Sequence, residues 1–461
     1  MRERFDTDVA VVGGGVVGCA IARELSGFEL RLTLLEAGPD VGAGTSKANT
    51  ALLHTGFDAK PGTLEARLVA RGYELLGAYA QRVGIPVERT GALLVAWNEE
   101  QVGELPGILE RARANGHTDL RELGGDELYA REPSLAAGAR GAIAVPGEGL
   151  VCPFTTPLAY ATEAVLAGCD LRRSTPVTSA SRLDGGGFRL AIPAGDLTAR
   201  YLVNAAGLHS DELDRMLGHD GFTVTPRRGE LIVFDKLARP LVQHIVLAVP
   251  TKVTKGVLIA PTVFGNVMLG PTADDVERKD DTESTRAGLD HLMAEGERIM
   301  PALVRHEVTA VYAGLRAATE HADYQLTVHA PEGYACVGGI RSTGLSASMA
   351  IAEHVREELG AGGLALEPKP GPPPEFRMPN IGERGERPHQ RPELIERDDG
   401  YGRIVCFCER VTRGELRDAL DGPLPAVDLD GLRRRTRAHM GRCQGFFCGA
   451  ELAALVDEET R

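Results

Sequence analysis

The chain has 461 residues, too many for one compact core, and that length sets a prior of two to four domains. Hydrophobic residues make up 43% and charged residues 25%, as in an ordinary soluble globular protein, and a net charge of −14 argues against nucleic acid as a partner. No apolar run approaches the roughly 18 residues that span a membrane. The charged segment before Thr7 leads straight into a strand and leaves no room for a signal peptide, so a cytoplasmic protein is expected, peripheral to the inner membrane only through a partner. Eight cysteines in so long a chain are no disulfide scaffold, and four of them cluster near the C-terminus.

Asp8 to Val12 is an apolar, β-branched run that reads as a buried parallel strand. Gly13, Gly15 and Gly18 follow at G-x-G-x-x-G spacing, Val16 to Ser26 has helical periodicity, and Leu30 to Leu35 is a second strand ending in Glu36. Strand, turn, helix, strand and acid in this order form a dinucleotide-binding fingerprint. Gly13 permits the tight turn, Gly15 lets a pyrophosphate approach the backbone, and Gly18 lets helix and strand pack closely. Glu36 can accept from ribose hydroxyls and would repel a 2′-phosphate, so the adenosine of FAD or NAD fits better than that of NADP. A small-residue loop, Gly42 to Gly56, comes next, with hydroxyl donors at Thr45 and Ser46. His54 lies in this loop, which should border the cofactor, and is the first candidate proton-handling group.

The fingerprint, Glu36 and S-K-A-N-T-A-L-L-H-T-G-F-D-A-K-P-G-T-L together resemble the D-amino-acid-oxidase-type FAD-dependent oxidoreductases. Within that superfamily they are most similar to glycerol-3-phosphate dehydrogenases and oxidases, with L-2-hydroxyglutarate oxidases close behind. The resemblance implies FAD, its ring against the loop that carries Ser46 and His54.

Further along, helices are expected over Leu64 to Val83, Val102 to Asn115, within Val151 to Gly168, and over Arg286 to Met300. Leu171 to Val177 and Phe188 to Leu190 read as strands around the turn Asp184 to Gly187. Tyr201 to Asp211 is an apolar strand ending in small residues. The resemblance implies that it closes on the FAD phosphates or ribose at Ala206 and Gly207, with Val177 near the adenine. Thr223 to Asp235 and Leu258 to Leu269 alternate like antiparallel strands and suggest a second, substrate-covering domain that also carries Lys252 and Lys255. Asp274 to Asp281 reads as a solvated loop. Val311 to Arg316 precedes Tyr334 to Ser348, a strand, glycine turn and helix, and Gly344 and Leu345 resemble the family's closing motif, where a helix start faces the flavin. Two departures are Ala317 after G-L-R and Arg341 before the serine.

Glu367 to Gly402 holds eight prolines and reads as a linker or extended strap. Beyond it, Cys406 and Cys408 form C-x-C, and Cys443 and Cys448 form C-x4-C after 34 intervening residues, with helical stretches over Arg413 to Leu420 and Gly431 to His439. Four thiolates flanked by glycines suit an Fe–S cluster or tetrahedral zinc, and C-x-C favours the cluster. The run L-R-R-R-T-R-A-H-M-G-R-C-Q-G-F-F-C resembles bacterioferritin-associated-ferredoxin-like [2Fe–2S] domains, as in the A subunits of anaerobic glycerol-3-phosphate dehydrogenases.

The expected architecture is α/β: a Rossmann-type FAD-binding domain with an inserted mixed or antiparallel-sheet substrate domain, plus a small C-terminal helical cysteine-cluster domain. The oxidoreductase part covers 1–366, with FAD-binding segments at about 1–80, 150–215 and 310–366 and substrate segments at about 81–149 and 216–309. The linker is 367–402 and the [2Fe–2S] domain 403–461. The resemblance implies oxidation of a small hydroxy substrate, first sn-glycerol 3-phosphate, with His54 as base, Arg316 and Lys255 holding the anion, and Arg341 as a third cation. Electrons would then pass by way of the [2Fe–2S] cluster to an accepting partner subunit. The alternatives are a 2-hydroxy acid such as L-2-hydroxyglutarate, an amino acid, or a non-catalytic electron-transfer subunit.

Overall fold

A computed structural model describes residues 5–250 and 256–459. Thr7–Val12 is buried almost throughout because it is apolar on both faces, as a central parallel strand must be. It runs parallel to Leu32–Leu35 on one side and to Gly195–Asn204 on the other. Asp170–Arg172 extends the sheet beyond Leu32–Leu35, and Tyr334–Gly338 lies parallel to the end of Gly195–Asn204. The antiparallel strands Ser179–Arg182, Phe188–Ile192 and Gln325–His329 complete eight strands. Helices Val16–Leu25, Leu64–Val83, Thr155–Leu166 and Gly344–Ala361 pack together on this sheet and share one core. Their crossing is close: a Cβ on Gly72 would sit 2.2 Å from the Ser346 carbonyl oxygen.

A second sheet of nine strands has its own core, including Leu93, Phe234, Ile259 and Leu292. Val224–Phe234 pairs antiparallel with Val308–Thr319 along nearly its whole length. Ile245–Ala248 is parallel to Ala92–Ala96 while the other neighbours are antiparallel, so the sheet is mixed. Several details differ from the sequence reading: the strand expected over 201–211 ends at Asn204 and gives way to a short turn and the helix Ser210–Met216, because the polar run Ser210–Asp214 takes helical form. The strand Val308–Thr319 belongs to this second sheet, so the return to the first comes at Gln325–His329 rather than at 310. Asp274–Asp275 pairs with Arg227 and Arg228 as a short strand rather than lying wholly in a solvated loop. The strand at 170 stops at Arg172, before Ser174 takes a positive φ of 50°.

The proline-rich segment is a strap on the oxidoreductase surface. Phe28 and Pro368 bridge, Lys369 N–H donates to Gly27 O (2.8 Å), Met378 N–H to Val83 O (2.7 Å) and Glu383 N–H to Val263 O (2.9 Å). It delivers the chain to a small unit built from Ile404–Cys406, Val411–Thr412 and the helices Arg413–Asp421, Leu429–Thr436 and Gly449–Glu459. Thr412 and Glu415 cap the first of these helices reciprocally, and the Asp428 side chain caps the second. The second ends at Thr436 rather than running to His439, because Arg437 and His439 adopt left-handed φ of 71° and 69°.

Candidate active site and cysteine site

A cavity of about 1340 Å³ opens where the carboxyl ends of the first sheet meet the second. Ligands of open parallel sheets bind at such ends. The glycines make the near wall. Gly13 has φ of +108°, and a Cβ there would lie 2.3 Å from the Ala205 carbonyl oxygen; a Cβ on Gly18 would lie 1.8 Å from the Gly13 oxygen. Gly15 faces the cavity at the start of Val16–Leu25, and its Cβ would lie 3.3 Å from Ser46 Oγ, in the space through which a pyrophosphate would reach the helix amides. Ser46 Oγ accepts from Val16 N–H (2.8 Å), and Thr45 Oγ1 donates to Leu315 O (2.9 Å). Glu36 accepts from Gly14 N–H and Gly38 N–H, both at 2.6 Å; burial pushes its pKa up, against the pull of those two amides. Val177, Ala206 and Gly207 line the cavity near Glu36, and Gly344 and Leu345 line it at the start of Gly344–Ala361. This glycine cradle fits the phosphates of FAD, and the volume exceeds the roughly 300–1,000 Å³ of an ordinary small-ligand pocket.

His54 also lines the cavity. Its N–H donates to Ser346 Oγ (2.8 Å) in the first turn of Gly344–Ala361. Its Nδ1 lies 3.1 Å from an oxygen of Glu148, whose side chain is fully buried. The cavity's cations fall into two classes. Arg227 makes two bonds to Asp275 (2.6 and 3.0 Å), and Lys279 bonds Asp211 and Glu212 (each 2.6 Å). Arg316 reaches only the Thr272 carbonyl, at 3.4 and 3.5 Å, and burial together with Arg227 holds its pKa down. Arg341 donates to the carbonyls of Thr319 and His321, and its buried Nε has no hydrogen-bond partner among the described residues. Arg111 and Lys60, not singled out by the sequence, line the same cavity. Lys255 lies outside the described residues. Glu148 was missed too; its only local signal is a lone acid between Gly147 and Gly149.

The four C-terminal cysteines come together as pairs. Burial pushes Cys406 up to about 11, with Cys448 beside it adding to the rise, and Cys408 adjoins Cys443. Cys443 is held below its ordinary value, chiefly by the Phe447 N–H, with Cys408 and the Gly445 and Phe446 N–H groups adding to the effect. Thiolate-stabilising amides of this kind suit iron ligation. Among the described residues, the group of three or more ligand atoms all within 4.8 Å is His219, His329 and Glu332, not the cysteines. The cysteines act on one another, Cys406 with Cys448, Cys408 with Cys443, and Cys406 also on Cys408. The cysteine unit is pressed on the cradle: Arg434 and Arg435 bond the fully buried Asp40 at 2.6 Å each, and Lys47, beside Ser46, bonds Asp430 at 3.0 Å.

Residues 8–358 match the DAO family, the FAD dependent oxidoreductases, and residues 404–458 match the BFD-like [2Fe-2S] binding domain. A glycerol 3-phosphate dehydrogenase of Caloramator mitchellensis is 34% identical over 98% of this chain and 94% of its own. Subunit A1 of the anaerobic glycerol-3-phosphate dehydrogenase of Haloferax volcanii is 28% identical over 98% of this chain and 83% of its own. The structure of L-alpha-glycerophosphate oxidase from Mycoplasma pneumoniae with FAD bound superposes with a TM-score of 0.77 at 29% identity, covering 81% of this chain and 99% of that one. With the glycine cradle and the paired cysteines, these matches establish that the chain belongs to the DAO family of FAD dependent oxidoreductases and carries a C-terminal [2Fe–2S] domain.

Proposed function

We propose that the chain oxidises the secondary hydroxyl of sn-glycerol 3-phosphate to the ketone of dihydroxyacetone phosphate. The observation that carries this reading is the pair Arg316 and Arg341, two cavity-lining guanidiniums with only backbone carbonyls as partners among the described residues. A largely buried cation such as Arg316, whose pKa burial holds down, is costly without a counter-ion unless a ligand supplies the charge. One guanidinium is enough for the monocarboxylate of an amino acid; two match a phosphate dianion.

In this reading the arginines hold the phosphate and fix the carbinol carbon, and His54 takes the hydroxyl proton on Nε2. FAD, held by Gly13, Gly15, Glu36 and Ser46, supplies the hydride acceptor. The start of Gly344–Ala361 brings a positive helix end to the cavity, where it favours developing negative charge. The [2Fe–2S] cluster, held by Cys406, Cys408, Cys443 and Cys448, supplies a one-electron carrier. A protein that accepts single electrons is its natural partner, and we place the enzyme in the cytoplasm, peripheral to the inner membrane through that partner; no described helix is long and apolar enough to cross a membrane. Steady-state kinetics on glycerol 3-phosphate, glycerol and L-2-hydroxyglutarate, with native protein and Arg316→Ala, test the proposal. A strong preference for the phosphate ester that collapses in the variant supports it, and equal use of L-2-hydroxyglutarate by the native protein contradicts it.

A further inference from the structure

Leu52–Leu53 pairs antiparallel with Gly149–Val151, Leu52 opposite Leu150 and Leu53 opposite Gly149. Continuing that register by one residue sets Glu148 against His54. The approach is close because Glu148 is flanked by glycines: a Cβ on Gly147 would lie 2.9 Å from Thr55 Cγ2, and one on Gly149 would lie 2.8 Å from the Glu88 carbonyl oxygen. Glu148 has no exposed surface. Its Oε1 accepts from Thr55 N–H (2.8 Å) and Thr55 Oγ1 (2.7 Å), and its Oε2 lies 3.1 Å from His54 Nδ1, at ion-pair distance but outside hydrogen-bond geometry.

We infer that Glu148 is the positioning residue of His54, holding its proton on Nδ1 so that Nε2 is the unprotonated nitrogen of the neutral ring. The chemistry follows from donor and acceptor roles. A carboxylate can only accept, so an imidazole nitrogen 3.1 Å from it is favoured in its protonated form, which leaves the other nitrogen unprotonated in the neutral ring. Thr55 adds a second constraint. Its backbone N–H can only donate, so whatever occupies the Oε1 position must accept. In Glu148→Gln the carbonyl oxygen is therefore drawn to Thr55 and the NH₂ group turns to His54. That group donates to Nδ1, moves the ring proton to Nε2, and removes the base without removing the histidine. The shape of the side chain hardly changes.

This inference rests on His54 as the proton acceptor, and the test separates the two ideas. Nitrogen-15 NMR of histidine-labelled, FAD-loaded protein, with the His54 signals assigned by their loss in His54→Gln, reports which ring nitrogen is protonated. The native protein should show a protonated Nδ1 and a free Nε2 in neutral His54, and Glu148→Gln should show the reverse. The rate of anaerobic flavin reduction by glycerol 3-phosphate should fall in Glu148→Gln by about 10²–10⁴, the usual range for losing a general base. Its dissociation constant should move by less than about threefold, because no substrate contact is lost. A native Nε2–H tautomer overturns the inference even if the variant does not fold, and so does a Glu148→Gln protein with native tautomer and rate. An unchanged reduction rate in His54→Gln would remove His54 as the base and leave the tautomer measurement to judge Glu148 by itself.

Discussion

Asp40 is where the cysteine unit is fastened to the FAD cradle, and replacing it tests whether the two move as one body. Its side chain has no exposed surface and accepts from Arg434 Nη2 (2.6 Å) and from Arg435 Nη1 and Nη2 (2.6 and 3.0 Å), with Arg173 3.7 Å away. Asp40→Ala leaves two nearly buried guanidiniums without this counter-ion. Loss of one partner of a buried pair costs about 3–5 kcal/mol. Arg434 keeps Asp430 and Arg435 keeps the Leu424 carbonyl, so the low end, about 3 kcal/mol, applies. The surface pair Lys47–Asp430 adds less than about 1 kcal/mol and cannot compensate. Three kilocalories raise the undocked population by about two powers of ten. Limited proteolysis in the 367–402 strap should accelerate accordingly, while iron and FAD contents stay near native. Burial works to raise the Asp40 pKa, but Arg435 and Arg434 overcome it and hold the carboxyl below its ordinary value. A depressed carboxylate stabilises above its unfolded pKa and loses that contribution as pH falls through its folded value. Docking should therefore be constant near neutrality and weaken below about pH 4. An Asp40→Ala protein with native cleavage rate and a single native melting transition would refute the argument.

Arg316→Ala should lose about 2–4 kcal/mol in kcat/KM for the phosphate ester, mostly through KM, because a desolvated charge contact is removed; an unchanged value would take Arg316 out of the substrate site. Gly15→Val should purify largely without flavin, since its branches would fill the space between the helix start and Ser46, and full flavin occupancy would contradict the cradle. Cys443→Ser should lose cluster iron while substrate still bleaches the flavin. Stoichiometric zinc in native protein purified anaerobically would make the cysteine unit structural instead.

The cradle was legible because its chemistry is local. The three glycines, their strand and their helix lie within about 30 residues and each does one thing. Helix Leu64–Val83 was legible for the same reason, with Thr63 capping its start and Gly84 ending it at a positive φ of 82°. What escaped is what long-range pairing creates. Glu148 meets His54 only through strands about a hundred residues apart, and nothing in P-G-E-G-L announces it. Arg227, Lys279 and Arg316 look alike in sequence; which of them lacks a counter-ion depends on where Asp275, Asp211 and Glu212 fall. In the sequence, the arginine set 433–435, 437 and 442 reads as compensation for a negative cluster. Three of its members are instead turned elsewhere: Arg434 and Arg435 to Asp40, and Arg437 over the Phe264 ring at 4.2 Å.

On the proposed function, this flavoprotein acts on a phosphorylated secondary alcohol. Anaerobic titration of the FAD-loaded protein, following the flavin absorption band, tests it most directly with sn-glycerol 3-phosphate, L-2-hydroxyglutarate and a set of amino acids added separately. Rapid bleaching is expected with sn-glycerol 3-phosphate, little or none with the others, and competition by inorganic phosphate that weakens in Arg316→Ala. Rapid bleaching by L-2-hydroxyglutarate or an amino acid, with none by sn-glycerol 3-phosphate, would contradict it.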